Sequence, residues 1–92
     1  MKVFVVIECG YYSINDLMCN ALGVHTSLEK AKEEMLECHN QTLNAVNDIN
    51  KEFVKNISME INEMECTVLY YNKVTQNTER HYVFIEEREI EE

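Results

Sequence analysis

The sequence predicts an α+β domain in which an antiparallel sheet packs against helix. Two observations predict this class. β-branched and aromatic residues concentrate in short runs near both ends of the chain. Between these runs, apolar residues recur at steps of three and four, as they do on one face of a helix. The 92 residues can enclose only one core, so residues 1–92 are predicted to form a single domain.

The first two strands are predicted near the amino terminus. Residues 2–9 have strand character, and the turn-rich segment 10–16 that follows them is predicted to be a loop. A weaker second strand is predicted from Ala21 to His25, and we expect it to pair back on the first.

A helix is predicted to follow this hairpin. Thr26 and Glu29 have the spacing of a capping box, in which each side chain satisfies a free backbone N–H of the first turn. An apolar stripe then continues to Phe53 with neither proline nor glycine to stop it. We expect one helix of about thirty residues, and the alternative is two helices separated by a break at residues 39–41.

The carboxyl-terminal part of the chain predicts a second hairpin. Residues 65–72 and 81–90 have strand character and are separated by the polar segment 73–80. Residues 58–64 are ambiguous, because they alternate like a strand but have the Glu and Met content of a helix; they are kept as an extension of the strand. The predicted order is ββαββ, a four-stranded antiparallel sheet with one helix packed on one face.

Both faces of this predicted sheet carry apolar side chains. Val5 and Phe4 point to opposite faces of the first strand, and Val83 and Phe84 do so in the last strand. One helix covers only one face, so we expect the other face to be covered by half of a broken helix, a second copy of the chain or a different protein. If Phe4 and Phe84 share the uncovered face, a charge at Phe4 gives a folded monomer and a charge at Val5 unfolds the chain. The outcomes reverse if the faces are exchanged.

Charge and cysteine content restrict the class of protein. Seventeen acidic and eight basic residues give a net charge of -9, which repels phosphate backbones and anionic lipids. We therefore expect neither direct nucleic-acid binding nor membrane association. The apolar run after Met1 is too short for a secretory leader or a membrane span, which predicts a cytoplasmic protein. In a reducing cytosol the four cysteines are expected to remain thiols, namely Cys9, Cys19, Cys38 and Cys66.

The sequence contains no recognisable catalytic or metal-binding motif. Its cysteines and histidines lack the two close ligand pairs that are typical of zinc sites. Nucleophilic catalysis would require Cys9 or Cys66 beside His25 or His81, and no flanking motif supports such a pair. The two glycines lie too far apart for a phosphate-binding loop. We predict no catalytic residue, no metal and no cofactor.

Two tyrosine pairs and one glutamate pair are the candidate partner-binding residues. Tyrosine is enriched in protein interfaces, and in a strand at most one ring of an adjacent pair can face the core. Tyrosines on a half-buried sheet are the alternative. Acidic side chains near the carboxyl terminus would attract a basic protein surface. The candidates are Tyr11, Tyr12, Tyr70, Tyr71, Glu86 and Glu87.

The amino-terminal part carries the segments Val3–Val6, Gly10–Tyr12 and Leu22–Ala31 in that order. This combination resembles small uncharacterised proteins of phages and Firmicutes, which share a Gly-Val-aromatic strand and a Ser/Thr-x-x-x-Lys-Ala helix start. His25 stands where that pattern more often has an aromatic residue. The resemblance implies a phage or prophage setting, in which small acidic proteins often bind and inhibit host machinery.

Composition and resemblance together favour an interaction protein over an enzyme. We expect a non-enzymatic, phage-derived protein that binds and modulates a host protein, such as a basic nucleic-acid-binding protein, through its acidic surface. A small homodimeric regulatory or structural domain is the second hypothesis, and an unrecognised enzyme is the third. Salt sensitivity of partner capture separates the first two, and a reactive thiol or a bound metal would support the third.

Overall fold

The computed structural model describes residues 1–13, 16–49, 53–74 and 76–91, and it describes the side chains of all these residues except 11–13, 16, 17, 48 and 49. Within these ranges the chain forms five strands and one helix. In chain order they are β1 (Lys2–Ser13), β2 (Asp16–His25), α1 (Leu28–Ile49), β3 (Val54–Ile61), β4 (Glu65–Asn72) and β5 (Asn77–Glu89).

The strands form one antiparallel sheet in the order β2-β1-β5-β4-β3. The first and last strands of the chain, β1 and β5, are therefore neighbours near the centre of the sheet, and β2 and β3 are its edge strands. The α+β class and a helix between two groups of strands are confirmed. The predicted number of strands is wrong, because the sheet has a fifth strand. Within the described residues, no helix has the length and apolar character that crossing a bilayer requires.

The additional strand is β3, which begins before the ambiguous segment 58–64. Residues Met59 and Ile61 pair with Val68 and Cys66 of β4, so the alternating pattern in this segment belongs to a strand. The strand contains a bulge after Lys55, where the backbone has a positive φ of 56° at residue 56, an asparagine. The helix correspondingly ends at Ile49 and does not continue to Phe53. Asparagine is a weak helix former, and the last ten residues of α1 include three asparagines.

The first hairpin is longer than predicted. Most of the expected loop 10–16 is strand, because β1 and β2 keep pairing beyond Gly10, which lies opposite Met18. Cys9 and Cys19 face each other directly across these strands, with Cα atoms 4.1 Å apart, and their sulfur atoms form a disulfide. The expectation of four thiols is therefore wrong for this pair, since the strand register brings the two side chains together. The other two cysteines of the chain are free thiols.

The second hairpin has a shorter connection than the predicted loop 73–80, because β5 already begins at Asn77 and pairs there with Asn72. Asn72 also organises the turn. Its side-chain Oδ1 accepts a hydrogen bond from the Val74 backbone N–H at 2.9 Å, and its carbonyl accepts one from the Gln76 N–H at 2.8 Å. Gln76 has a positive φ of 60°.

The helix start differs by one residue from the predicted capping box. The Ser27 Oγ accepts a hydrogen bond from the Lys30 backbone N–H at 3.4 Å, and the Ser27 carbonyl accepts the first helical bond, from the Ala31 N–H at 3.2 Å. Ser27 is therefore the N-cap in place of Thr26, and both residue types suit that position. The helix then continues through residues 39–41 without the alternative break.

The core lies between α1 and one face of the sheet. The helix packs on β1, β2, β4 and β5. Its Ala31 and Met35 side chains meet valine, isoleucine and cysteine side chains of the central strands, and each large side chain stabilises the fold by about 1.5–3 kcal/mol through its burial. The buried cluster consists of Val6, Ala31, Met35, Cys66, Val83 and Ile85.

The register between β1 and β5 decides which side chains face the helix. Val6 lies opposite Ile85, and both are in the core. Phe4 packs against the same core, whereas Phe84 pairs with Ile7 and points to the other face. The condition that Phe4 and Phe84 share one face is therefore wrong, because Phe4 and Val83 face the helix whereas Val5 and Phe84 face the other side of the sheet.

Candidate functional site

Three polar side chains converge on the helix side of the sheet, beside the core. Glu8 follows Val6 by two residues in β1, and His81 precedes Val83 by two residues in β5, so both continue apolar rows that face the helix. Cys38 lies one helical turn beyond Met35. Alternation in two strands and the helical repeat thus bring Glu8, Cys38 and His81 to one place.

Ligand atoms of these three side chains lie within 4.8 Å of one another. Cys38 Sγ donates a hydrogen bond to Glu8 Oε2 at 2.8 Å, and Glu8 Oε1 is 3.6 Å from His81 Nε2. Only 13% of the His81 side chain and 22% of the Glu8 side chain are exposed. The polar atoms of the cluster are therefore largely shielded from water, and they contact one another instead.

Burial and the adjacent Glu8 carboxylate raise the pKa of the Cys38 thiol to about 12. At neutral pH the thiol therefore keeps its proton, and its S–H group donates the hydrogen bond to Glu8. A protonated thiol is a poor nucleophile, so the cluster does not have the activated cysteine of a thiol-dependent enzyme.

Two imidazole nitrogens near this cluster are buried without a hydrogen-bonding partner among the described residues. They are His81 Nδ1 and His39 Nε2. The His39 side chain is almost fully enclosed, with 1% of the residue exposed. Burial, together with the nearby His81, lowers the pKa of His39, so a neutral ring is favoured there. Unpartnered buried polar atoms are uncommon in folded proteins.

A cleft of about 250 Å³ opens beside this cluster, between α1 and the first hairpin. Glu34 lies at the wall of the cleft, and its Oε1 is 3.0 Å from His25 Nε2. The same carboxylate lies against Gly23, where a Cβ atom would come within 2.5 Å of it. The lining residues are mainly polar and acidic, namely Glu8, Leu22, Glu34, Glu37, Cys38 and Gln41.

The face of the sheet opposite the helix is a second candidate surface, called here the open face. It is defined by apolar side chains of the three central strands: Val5, Ile7, Leu69, Tyr82 and Phe84. The rings of Tyr82 and Phe84 stack with their centroids 5.9 Å apart, and the Arg80 guanidinium lies 4.9 Å from the Tyr82 centroid. These contacts leave Tyr82 and Phe84 half-buried, and Leu69 is exposed.

The charged residues around the open face are balanced. Strand alternation places three basic and three acidic residues on this side of the described strands, namely Lys55, Arg80, Arg88, Glu60, Glu65 and Glu86. Arg88 binds Glu86 at 3.0 Å, and Arg80 is 3.6 Å from Glu65. The net charge of -9 therefore arises from other parts of the chain.

The predicted partner-binding residues do not form one surface. Tyr71 and Glu86 lie on the open face, with the Lys55 ammonium 5.0 Å from the Tyr71 ring centroid. Tyr70 and Glu87 point to the helix side by strand alternation, and Glu87 pairs there with Lys2 at 2.9 Å. Side chains 11 and 12, the first tyrosine pair, lie outside the described residues.

The cluster of Glu8, Cys38 and His81 is not predicted from the sequence. Sequence motifs indicate ligands that are close together in the chain, whereas these residues come from three different elements. The sequence contains one indication of this cluster: each of its polar residues lies two or three positions from a core residue, on the same face of its strand or helix.

No family model, no curated protein and no solved structure matches the chain at a significant level.

Proposed function

We propose that the protein is a non-enzymatic interaction protein whose functional unit is a homodimer formed through the open face. The observation that supports this proposal is the row of apolar side chains on the side of the sheet that α1 does not cover. Covering two aromatic rings and three aliphatic side chains is worth several kcal/mol at about 25 cal/mol per Å². Contact with a second apolar surface would bury these side chains, since contiguous apolar patches of this kind mark interaction sites.

The charge distribution favours a second copy as the occupant of this face. A two-fold interface brings the same patch of both chains together, so a strongly acidic patch would repel itself. The open face has equal numbers of basic and acidic residues, with Arg80 and Arg88 interspersed among glutamates. Two copies can therefore pair Arg with Glu across the interface, whereas a strongly basic partner gains little from this face.

The acidic residues on the outer side of α1 supply a separate surface for a partner protein. Glu29, Glu33 and Glu37 are exposed along the helix, and they remain outside a dimer that forms through the open face. A basic protein, including one whose own ligand is a nucleic acid, fits this surface by charge. In this proposal the dimer modulates such a protein in the phage setting that the sequence resemblance implies.

The dimer is tested by measuring the mass of the protein in solution by light scattering. We expect a mass near twice the 10.9 kDa of the chain. Phe84→Glu places a charge at the centre of the open face, so it should give a folded monomer with an unchanged far-ultraviolet circular dichroism spectrum. Met59→Glu is the matched control, because Met59 is a 57% exposed apolar residue on the helix side of the edge strand β3. This variant should remain dimeric.

Two results would contradict a homodimer formed through the open face. One is a wild-type protein that stays monomeric at high concentration, and the other is a Phe84→Glu variant that is folded and still dimeric. A Met59→Glu monomer would move the interface to the edge strand and would also refute the open-face assignment.

The acidic surface is tested separately by capturing bacterial proteins at low and high salt. We expect basic proteins to be retained at low salt and released at high salt, because exposed charge pairs are screened. A variant with Glu29, Glu33 and Glu37 all changed to Gln should lose this capture and keep its dimer mass. Equal capture by the wild type and this variant would refute the role of the helix surface.

A further inference from the structure

We propose that Glu8, Cys38 and His81 form a Zn²⁺ site that ties α1 to β1 and β5. This inference is independent of the open face, since the cluster lies on the opposite side of the sheet. One ligand would come from each of β1, α1 and β5, so the metal would link elements that are distant in sequence.

The donor set has the chemistry that Zn²⁺ prefers. Thiolate sulfur, imidazole nitrogen and carboxylate oxygen all bind zinc at about 2.0–2.3 Å, so neighbouring ligand atoms of a tetrahedral site lie roughly 3.3–3.8 Å apart. Cys38 Sγ lies 2.8 Å from Glu8 Oε2, and His81 Nε2 lies 3.6 Å from Glu8 Oε1. One ligand atom from each of the three side chains lies within 4.8 Å of the other two, so side-chain movements would bring one donor from each into this range. A soft thiolate disfavours Mg²⁺ and Ca²⁺, which take oxygen ligands.

The charges of the ligands also match a dication. With Cys38 as thiolate, Glu8 as carboxylate and His81 neutral, the ligands carry two negative charges. Binding replaces the thiol proton: the S–H bond of Cys38 breaks, a zinc–sulfur bond forms, and the proton leaves to solvent. The metal would then balance the negative charges of the Glu8 carboxylate and the partly buried Cys38 thiolate.

The metal would also determine the tautomer of His81. If a metal occupies His81 Nε2, the ring proton must be on Nδ1, where it needs an acceptor. His81 Nδ1 and His39 Nε2 are both buried, and neither has a hydrogen-bonding partner among the described residues.

Access to the site is provided by the acidic cleft. Glu8 and Cys38 contribute to its lining, so a fourth ligand such as water can approach from this side. Glu37 and Glu34 on the cleft wall give it a negative potential that attracts cations. The spacing of cysteines and histidines in the sequence predicts no zinc site, because such spacing indicates only ligands that are close together in the chain. These three ligands become neighbours only in the folded protein.

The experiment uses the purified full chain with its disulfide intact and titrates it with Co²⁺ and Zn²⁺ at neutral pH. We expect one equivalent of Co²⁺ to produce a thiolate-to-cobalt absorption band that Zn²⁺ displaces, and one equivalent of Zn²⁺ to raise the thermal unfolding midpoint. Cys38→Ser and His81→Asn should each weaken Zn²⁺ binding by at least about tenfold, the lower end of the loss caused by removing groups that merely support a ligand.

Two matched variants serve as controls. Cys66→Ala removes the other free thiol, and His25→Asn removes a histidine that pairs with Glu34 on the same side of the sheet. Both should bind Zn²⁺ as the wild type does. If Cys38→Ser fails to fold, the near-isosteric Glu8→Gln replaces it and should also weaken Zn²⁺ binding at least about tenfold.

The proposal is overturned if the wild type gives no cobalt–thiolate band and no stabilisation by Zn²⁺. It is equally overturned if folded Cys38→Ser and His81→Asn variants bind Zn²⁺ as tightly as the wild type, or if Cys66→Ala abolishes the cobalt band. Loss of Zn²⁺ binding in Cys38→Ser and His81→Asn, with retention in both controls, supports the site.

Discussion

Introducing the same charge at two adjacent valines should have opposite effects on the fold. Val5 and Val6 are neighbours in β1, but Val6 is fully buried beneath α1, with 0% exposure, whereas Val5 is half-buried on the open face. We expect Val6→Glu to unfold the protein and Val5→Glu to leave it folded as a monomer. The pair is matched in residue type, strand and introduced side chain, so only the face differs.

The magnitudes follow from burial. Val6→Glu loses about 1.5–3 kcal/mol of valine burial and places an unpaired carboxylate in the core, which costs several kcal/mol more. A chain of 92 residues has a free energy of unfolding of about 5–14 kcal/mol, so this loss removes most or all of it. Val5→Glu loses less than about 1.5 kcal/mol within one chain, since its charge remains solvated once the copies separate.

Urea denaturation followed by circular dichroism, combined with light scattering, measures both effects. The expected results are an unfolded or strongly destabilised Val6→Glu and a cooperatively unfolding, monomeric Val5→Glu. The reasoning is refuted if Val5→Glu unfolds while Val6→Glu stays native, because that would exchange the two faces of β1. Equal destabilisation of the two variants would show that the helix does not distinguish these faces.

Two further predictions concern local features of the fold. Ser27→Ala should lower the free energy of unfolding by about 1 kcal/mol through loss of the N-cap, and Thr26→Ala should be close to neutral; the reverse order in urea denaturation would restore Thr26 as the cap. Replacing both Cys9 and Cys19 by Ala should lower the free energy of unfolding by about 2–3 kcal/mol in non-reducing buffer, because the disulfide closes a loop between residues ten positions apart. Titration of the denatured, unreduced wild type should find two thiols, and four thiols would show that the disulfide does not form.

The sequence determined the features that depend on local pattern. Short runs of β-branched and aromatic residues specified strands such as β1 and β5, and an apolar stripe at helical spacing specified α1, because strand propensity and helical period are local properties of the chain. The presence of apolar side chains on both faces of the sheet was also readable, since it requires only that neighbours in a strand point in opposite directions. The length and composition of the chain set the limit of one core.

Tertiary structure decided everything that depends on which elements meet. Pairing of β1 with β5 put Phe4 beneath the helix and Phe84 on the open face, a choice that alternation within either strand leaves undetermined. The register of the first hairpin joined Cys9 to Cys19. The cluster that contains Cys38 likewise exists only after two strands and the helix have packed together, since side chains far apart in the chain become neighbours through burial of the core between them.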